Sequence, residues 1–416
     1  YCLINKRPLL NKWFFVAWYT FAMVSESFLK RVLMFIGFIL SGLITLIFIS
    51  TPESLQVPVP DSVPSITTKS SLNRELEEAK QYFGSSIKAQ IPGASLASVV
   101  SWSPNSKYIL ANVRFIDPSG PRVKPFVLDI TRKQYVEVPS ATLLDTVSWS
   151  GNKIAYATET GFGYFDIVTN QSKVLTTAGE TQPIISSDGS YIAYNNNGLA
   201  VYSVKTNKVT QLSQNKNDVP LLWKADDKTL IISTGENKKP TLAEFHIGTR
   251  AQVALTQLPE SLAQAVWVSK DELVLLTLSV GDSYFDYAYD FSDAALTLLA
   301  ETTEGTAFVA HRDREIGIVK GSRITTYDNH VEKKTEVKRT EKNRIAHFSL
   351  LPSPLAMFVR EQDGGYEVAA FNLQTSIETV VDTIWLPYTI VSPNGRTAVT
   401  VSEGSDAVQF VELPNA

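Results

Sequence analysis

Four histidines and one cysteine are the side chains of this 416-residue chain that could most readily bind a metal or move protons. The histidines are His246, His311, His330 and His347, and no two of them have the spacing of a metal-ligand pair. The sequence also lacks a G-x-S-x-G turn, a Walker loop and a Rossmann fingerprint. We therefore expect no catalytic, cofactor-binding or metal-binding residues, and we predict that the chain is not an enzyme.

Carboxylates and aromatic rings are concentrated in residues 281–293, where Asp282, Asp286, Asp290 and Asp293 lie among five aromatic residues. A carbohydrate or cation contact is one interpretation. The aspartates are spaced by 4, 4 and 3 residues, which does not fit a calcium-binding loop. We favour a β-hairpin whose alternate side chains face a neighbouring sheet.

The composition excludes several classes of protein. Hydrophobic residues make up 44% of the chain and charged residues 19%, so it is not a disordered protein. The formal net charge of −4 favours no nucleic-acid partner. Cys2 is the only cysteine. A domain exported without disulfides is typical of bacterial envelopes, so we predict a prokaryotic protein.

A pattern of about 40 residues recurs from residue 97 to the end of the chain. Each copy begins with a short apolar strand that runs into a polar turn, and three further strands follow. The equivalent apolar positions of eight copies are spaced by 36–47 residues: Trp102, Trp149, Ile185, Trp223, Trp267, Phe308, Phe348 and Ile390. Repeats of this length with four short strands predict a β-propeller, in which the tryptophans pack between blades.

The best copies resemble the TolB-type, or WD40-like, propeller repeat. They read SWSPNSKYILA at 101–111, SWSGNKIAYA at 148–157, ISSDGSYIAY at 185–194 and VSPNGRTAVTV at 391–401. The resemblance covers residues 97–413 and implies the fold rather than a function. Two departures are the missing α/β domain of TolB and the missing Gly-His and Trp-Asp pairs of WD40 repeats, so the partners of TolB are not carried over.

The predicted fold class is therefore all-β, a propeller of about eight four-stranded blades over residues 97–416, with seven blades as the alternative. The last copy ends at Leu413 after three strands. A segment near residues 86–92 is expected to supply the fourth strand. Ser71 can cap a short helix over 72–83, so residues 72–96 should hold a helix and the closing strand.

An uncharged run from Val32 to Ser50 precedes the repeats. It is long enough to cross a bilayer as a helix, and it exceeds the apolar core of a signal peptide. Lys30 and Arg31 lie before it, which predicts a cytoplasmic segment 1–31 and an extracytoplasmic propeller. The proline-rich residues 51–71 predict an extended linker. Gly37 and Ser41 could pair this helix with a second copy as a homo-oligomer.

A binding face, if present, is expected on the loops between the second and third strands of the blades, because recognition usually resides in variable loops on a rigid scaffold. The candidate residues are Asp117, Arg122, Phe162, Asn196, Lys238, Asp282, Tyr284, Asp363, Tyr366 and Asp406. Trp385 lies outside the register of the other tryptophans and is a candidate exposed aromatic residue.

Anchor, linker and propeller together predict a non-catalytic, single-pass scaffold or accessory subunit that binds a protein partner of the cell envelope. Two alternatives stay open at this point. The first is a glycan-binding propeller or a propeller-type glycan lyase or hydrolase. The second is a ligand sensor that signals through the anchor. The fold alone does not choose among them.

Overall fold

The repeated strands fold into antiparallel sheets, which we call blades 1 to 8 in chain order. The computed structural model describes residues 81, 83, 87, 91–117, 120–139, 144, 147–177, 182–236, 239–281, 283–303, 307–312, 314–339, 344–362, 365–384, 389–401 and 407–414. The predicted transmembrane helix, the linker and most of the helix over 72–83 lie outside these residues, although Gln81 and Phe83 are helical. Within the described ranges, no helix is long and apolar enough to cross a membrane.

In blades 1 to 4, every strand pairs with the next one along the chain. Their strands are β1 (Ala94–Trp102), β2 (Tyr108–Asp117), β3 (Gly120–Asp129), β4 (Gln134–Glu137), β5 (Val147–Ser150), β6 (Lys153–Thr158), β7 (Gly161–Asp166), β8 (Gln171–Thr176), β9 (Ile184–Ile185), β10 (Tyr191–Asn195), β11 (Leu199–Ser203), β12 (Lys208–Gln211), β13 (Val219–Trp223), β14 (Thr229–Glu236), β15 (Lys239–His246) and β16 (Gln252–Gln257).

Blades 5 to 8 repeat this meander. Their strands are β17 (Ser261–Ser269), β18 (Leu273–Val280), β19 (Ser283–Asp290), β20 (Ala295–Thr303), β21 (Ala307–Arg312), β22 (Glu315–Lys320), β23 (Arg323–Tyr327), β24 (Lys333–Lys338), β25 (Ile345–Leu350), β26 (Leu355–Gln362), β27 (Gly365–Asn372), β28 (Glu378–Ile384), β29 (Ile390–Val391), β30 (Thr397–Thr400) and β31 (Gln409–Glu412). The prediction of about eight blades is confirmed, and β21 to β24 form a regular four-stranded blade 6.

Burial along the strands follows their place in the blade. The third strand of blade 2, β7, is buried at all six positions, whereas the fourth strand, β8, is exposed at four of six. An inner strand of a blade is covered on both faces by the neighbouring blades, while the outermost strand has one face in water. The close packing of β7 requires a glycine at position 163, because a Cβ on Gly163 would lie 2.2 Å from the ring of Tyr156.

Hydrophobic clusters join each blade to the next. Leu110 of blade 1, for example, packs with Ile154 of blade 2. Equivalent clusters fill the other interfaces up to that between blades 7 and 8. A further cluster joins Val399 of blade 8 to Leu96 of blade 1. Because the first and last blades share a core, the blades form a closed ring.

The segment before β1 closes the ring by packing. Phe83 and Ile87 are fully buried in the cluster between blades 8 and 1, and the Phe83 carbonyl accepts a hydrogen bond of 3.4 Å from the Val408 N–H. The prediction of a strand near residues 86–92 is wrong at the positions that are described. Ile91 donates to the Ile87 carbonyl at 2.8 Å in a turn, and blade 8 has three strands among the described residues. Pro92, which lacks an N–H, cannot donate to a strand ladder.

Candidate functional site

Four tryptophans at the ends of innermost strands connect neighbouring blades. Each indole N–H donates to the innermost strand of the preceding blade: Trp102 to the Ile390 carbonyl at 3.1 Å, Trp149 to Ser101 Oγ at 2.9 Å, Trp223 to the Ile184 carbonyl at 3.0 Å and Trp267 to the Trp223 carbonyl at 3.0 Å. Their predicted role in packing between blades is confirmed. These side chains are therefore structural.

The turns between first and second strands lie on one face of the ring and bond to one another. In blade 3 the Ser187 N–H donates to Asp227 Oδ1 of blade 4 at 2.7 Å. In blade 4 the Ala225 N–H donates to Asp271 Oδ1 of blade 5 at 3.0 Å. Each turn thus has a fixed position relative to the next, and we call this surface the turn face.

Arg312 extends this network across two blades. From the turn of blade 6, its guanidinium donates to the Leu350 carbonyl of blade 7 at 3.5 Å and to the Pro393 carbonyl of blade 8. Gly395 leaves room for it, since a Cβ at Gly395 would lie 2.8 Å from the guanidinium. Arg312 therefore fixes one wall of the junction between blades 8 and 1.

At this junction the turn face contains a cavity of about 420 Å³, which we call the seam cavity. Trp102, Ile130 and Pro104 line it from blade 1, and Pro393 and Thr397 line it from blade 8. The hydroxyl of Thr397 is buried and has no hydrogen-bond partner among the described residues. An unpaired buried polar group is costly, so this hydroxyl is a potential contact for a ligand.

Two copies of the same Ser-Pro-Asn turn form opposite walls of the seam cavity. In blade 1, Asn105 Oδ1 accepts hydrogen bonds from Ser103 Oγ at 2.7 Å and from the Lys107 N–H at 3.1 Å. In blade 8, Asn394 Oδ1 accepts from Ser392 Oγ at 2.6 Å and from the Arg396 N–H at 3.1 Å. Both carboxamide oxygens are therefore occupied within their turns, whereas the carboxamide NH₂ groups are donors.

The binding loops predicted from sequence lie on the opposite face, which we call the hairpin face. Arg122 is exposed there, Asn196 is half-buried, and Tyr284 and Tyr366 are half-buried near the ends of their hairpins. The backbone of Asp117 pairs with Gly120 and closes the hairpin of blade 1. Lys238, Asp282, Asp363, Trp385 and Asp406 lie outside the described residues.

Phe162 was predicted to lie on the binding face, and the structure corrects this prediction. Its side chain is fully buried and packs on Tyr194 of blade 3 with 4.5 Å between ring centroids. The hairpin joining β6 and β7 is short, with Thr158 paired to Gly161, so Phe162 already lies within the blade interface. It cannot contact a partner on the surface.

The acidic aromatic segment forms the hairpin of blade 5. Asp286 accepts a hydrogen bond from Thr277 Oγ1 at 2.6 Å, and its burial raises the pKa of the carboxyl group. Asp290 Oδ1 accepts from the Ser292 N–H at 2.8 Å within a turn. Both carboxylates have structural partners, in agreement with the hairpin interpretation.

The histidines do not form a metal centre in the described part of the chain, where no group of three His, Cys, Asp or Glu side chains could hold an ion. His311 and His347 lie on the innermost strands of blades 6 and 7. Burial lowers the pKa of His311, and it lowers that of His347 to about 4. Nε2 of His347 lies 3.0 Å from Ser349 Oγ.

His347 should make the protein less stable in mild acid. Its folded pKa of about 4 lies below the ordinary value of 6.5, so below pH 6.5 the unfolded chain takes up a proton that the folded chain does not. Between pH 6.5 and pH 5, the free energy of unfolding should fall by about 1.5 kcal/mol through this residue. Urea titrations across this range should show a shallower loss for His347→Gln. His330→Gln, at an exposed position, is the control, and equal pH slopes for wild type and His347→Gln would contradict the prediction.

Comparison with known proteins identifies the fold. No family model and no curated protein matches the sequence. Among solved structures, the Dos1 propeller is similar with a TM-score of 0.52 and 13% identity over 77% of this chain and 93% of that chain. Dipeptidyl peptidase 4 of Porphyromonas gingivalis has a TM-score of 0.51 and 11% identity over 80% of this chain and 58% of the peptidase.

An oligogalacturonate lyase in complex with manganese is similar with a TM-score of 0.47 and 11% identity, over 78% of this chain and 91% of the lyase. The similarity to the Dos1 propeller and to the peptidase, at 13% and 11% identity, shows the fold and not an activity. The class of protein is therefore a β-propeller, and the described residues form eight blades.

Proposed function

We propose that this chain is a non-catalytic, membrane-anchored propeller that binds a protein partner through its hairpin face. The observation that carries the proposal is the unequal length of the hairpins between second and third strands. Both strands have ten residues in blade 1 and eight residues in blades 4, 5 and 7. In blades 2, 3, 6 and 8 they have four to six.

The longest hairpin ends in an apolar side chain. Ile116, next to the turn of blade 1, is 77% exposed, and Lys124 lies over the ring of the adjacent Phe115 at 5.7 Å. Val280, at the end of the blade 5 hairpin, is 41% exposed. Apolar side chains on rigid projecting hairpins with polar neighbours are suited to a protein interface, in which a few apolar anchors provide most of the affinity.

The test is a substitution at the end of this hairpin. Ile116→Asp should reduce crosslinked recovery of the partner from envelope membranes by about tenfold, because a carboxylate would be buried in the interface. Val174→Asp is the matched control, since Val174 is 53% exposed on the outermost strand of blade 2. Equal recovery with Ile116→Asp and Val174→Asp would contradict the proposed face.

The anchor is a separate part of the proposal. The uncharged run Val32–Ser50 and the cations before it support a single span with a cytoplasmic N-terminus and an extracytoplasmic propeller. Protease added to intact spheroplasts should then digest or release the propeller, and carbonate washing should leave the chain in the membrane. Protection of the propeller from protease in intact spheroplasts would contradict this topology.

A further inference from the structure

We propose that the seam cavity binds a small organic anion, in which a carboxylate or phosphate is attached to a ring-sized body. This site lies on the turn face and does not depend on the proposed protein interface. The inference rests on the donor groups of the cavity, on the position of charge around the turn face, and on the size and apolar surface of the cavity.

Both walls of the cavity carry side-chain donors. The oxygens of Asn105 and Asn394 are each engaged by two donors of their own turn, which leaves the NH₂ groups to bind an acceptor. Thr397 adds a buried hydroxyl without a partner among the described residues. An acceptor with several oxygens, such as a carboxylate or phosphate, is complementary to this set.

Cations occupy the same place in both turns, and Lys107 is the one that lines the cavity. Lys107 follows Asn105 by two residues, and Arg396 follows Asn394 by two. Both side chains are exposed, and neither forms an ion pair with another described residue. The nearest carboxylate in sequence to the lining residue Ile130 is Asp129, which is paired with Arg132 at 3.7 Å. Lys107 therefore gives the cavity a positive charge that its lining residues do not neutralise.

The equivalent turns across the ring are acidic. In blades 3 and 4 the position of the asparagine is taken by Asp188 and Asp226. Asp188 Oδ1 accepts from the Ser190 N–H at 2.9 Å, and Asp226 Oδ1 accepts from the Lys228 N–H at 2.9 Å, as the asparagine oxygens do in the seam turns. This turn therefore accepts either Asn or Asp. Among the turns of blades 1, 3, 4 and 8, the two that face each other across the seam cavity both carry asparagine.

The dimensions indicate more than a simple ion. A volume of about 420 Å³ lies within the range of small-molecule sites. Trp102, Pro104 and Pro393 supply apolar surface beside the donors. A single ion would leave this surface uncovered, whereas a ring carrying an anionic group would contact both.

The experiment is calorimetric titration of the full chain in detergent, at low salt, with three probes that share one ring. Glucuronate and glucose 6-phosphate carry the anion, and glucose does not. We expect at least one of the two anions to bind about tenfold or more tightly than glucose, with an affinity that falls as salt is added. The proposal is overturned if neither anion binds more tightly than glucose.

Variants then place the binding in the seam cavity. The double variant Asn105→Asp/Asn394→Asp keeps the oxygen that accepts within each turn, as in blades 3 and 4, but puts negative charge at the cavity. It should weaken binding of the anion by about tenfold or more. Unchanged affinity in a variant with the wild-type melting temperature overturns the proposal.

A second set keeps the test decisive if that double variant fails to fold. Lys107→Gln and Thr397→Val should each weaken binding several-fold. Lys228→Gln is the matched control, because Lys228 has the same position in the turn of blade 4 and is also exposed to water. Equal affinities of Lys107→Gln, Thr397→Val and Lys228→Gln would assign any binding to another part of the chain and overturn the proposal.

Discussion

Replacing Glu378 with glutamine should lower the free energy of unfolding by about 3–5 kcal/mol, because two buried guanidinium groups would lose their shared carboxylate. Arg339, at the end of blade 6, is 3% exposed and donates to Glu378 at 3.2 Å. Arg360 of blade 7 is 7% exposed and donates to the same carboxylate at 2.7 Å. The measurement is urea unfolding followed by tryptophan fluorescence.

The remaining contacts of the two arginines do not replace this carboxylate. Arg360 also pairs with Glu367 at 2.8 Å, and the Arg339 guanidinium lies 4.5 Å from the ring centroid of Phe358. Glu378 is therefore the group shared between blades 6 and 7. In the control, Glu137→Gln removes an exposed pair with Lys124 and should cost less than about 1 kcal/mol. A loss at Glu378 no larger than that of the control would show that the buried pairs contribute little.

Trp223→Ala should destabilise the propeller by a comparable amount, about 3–5 kcal/mol, since it removes a large side chain from the core. Trp223 is 5% exposed, stacks on Tyr191 with 6.3 Å between ring centroids, and donates its indole N–H to the Ile184 carbonyl. Its own carbonyl accepts from Trp267 and would persist in any substitution.

Trp223→Phe separates the contributions of packing and hydrogen bonding. It keeps an aromatic ring against Tyr191 but leaves the Ile184 carbonyl without its indole donor, so a loss of about 1–3 kcal/mol is expected. Urea unfolding of the two variants measures both values. If Trp223→Phe were as destabilising as Trp223→Ala, the hydrogen bond or the exact ring shape would dominate over buried volume.

The individual blades could be predicted because their determinants are local. A strand with apolar residues, a turn such as Ser392-Pro393-Asn394-Gly395 and a return strand are specified within about 40 residues. Gly395 has a φ of +69°, the conformation that its place in the turn requires. Repetition of this pattern was sufficient to predict eight blades and the packing role of the tryptophans.

The candidate sites were less accessible to sequence reasoning. Phe162 lies in a loop by sequence position, but the short hairpin of blade 2 places it in the core. The seam cavity could have been suspected from the repeated Ser-Pro-Asn turns at residues 103–105 and 392–394. No local sequence pattern indicates that these two turns face each other, since 286 residues lie between Asn105 and Ser392.

By itself, the sequence determined the strands, the turns and the number of blades, because hydrophobic period and turn chemistry act between near neighbours. Only the tertiary structure decided how the ring closes. Trp102 meets Ile390 across 288 residues, and Phe83 and Ile87 fill the cluster shared by blades 8 and 1. Such contacts form when all blades have packed in turn, so their partners are fixed by the cumulative geometry of the ring and not by any local pattern.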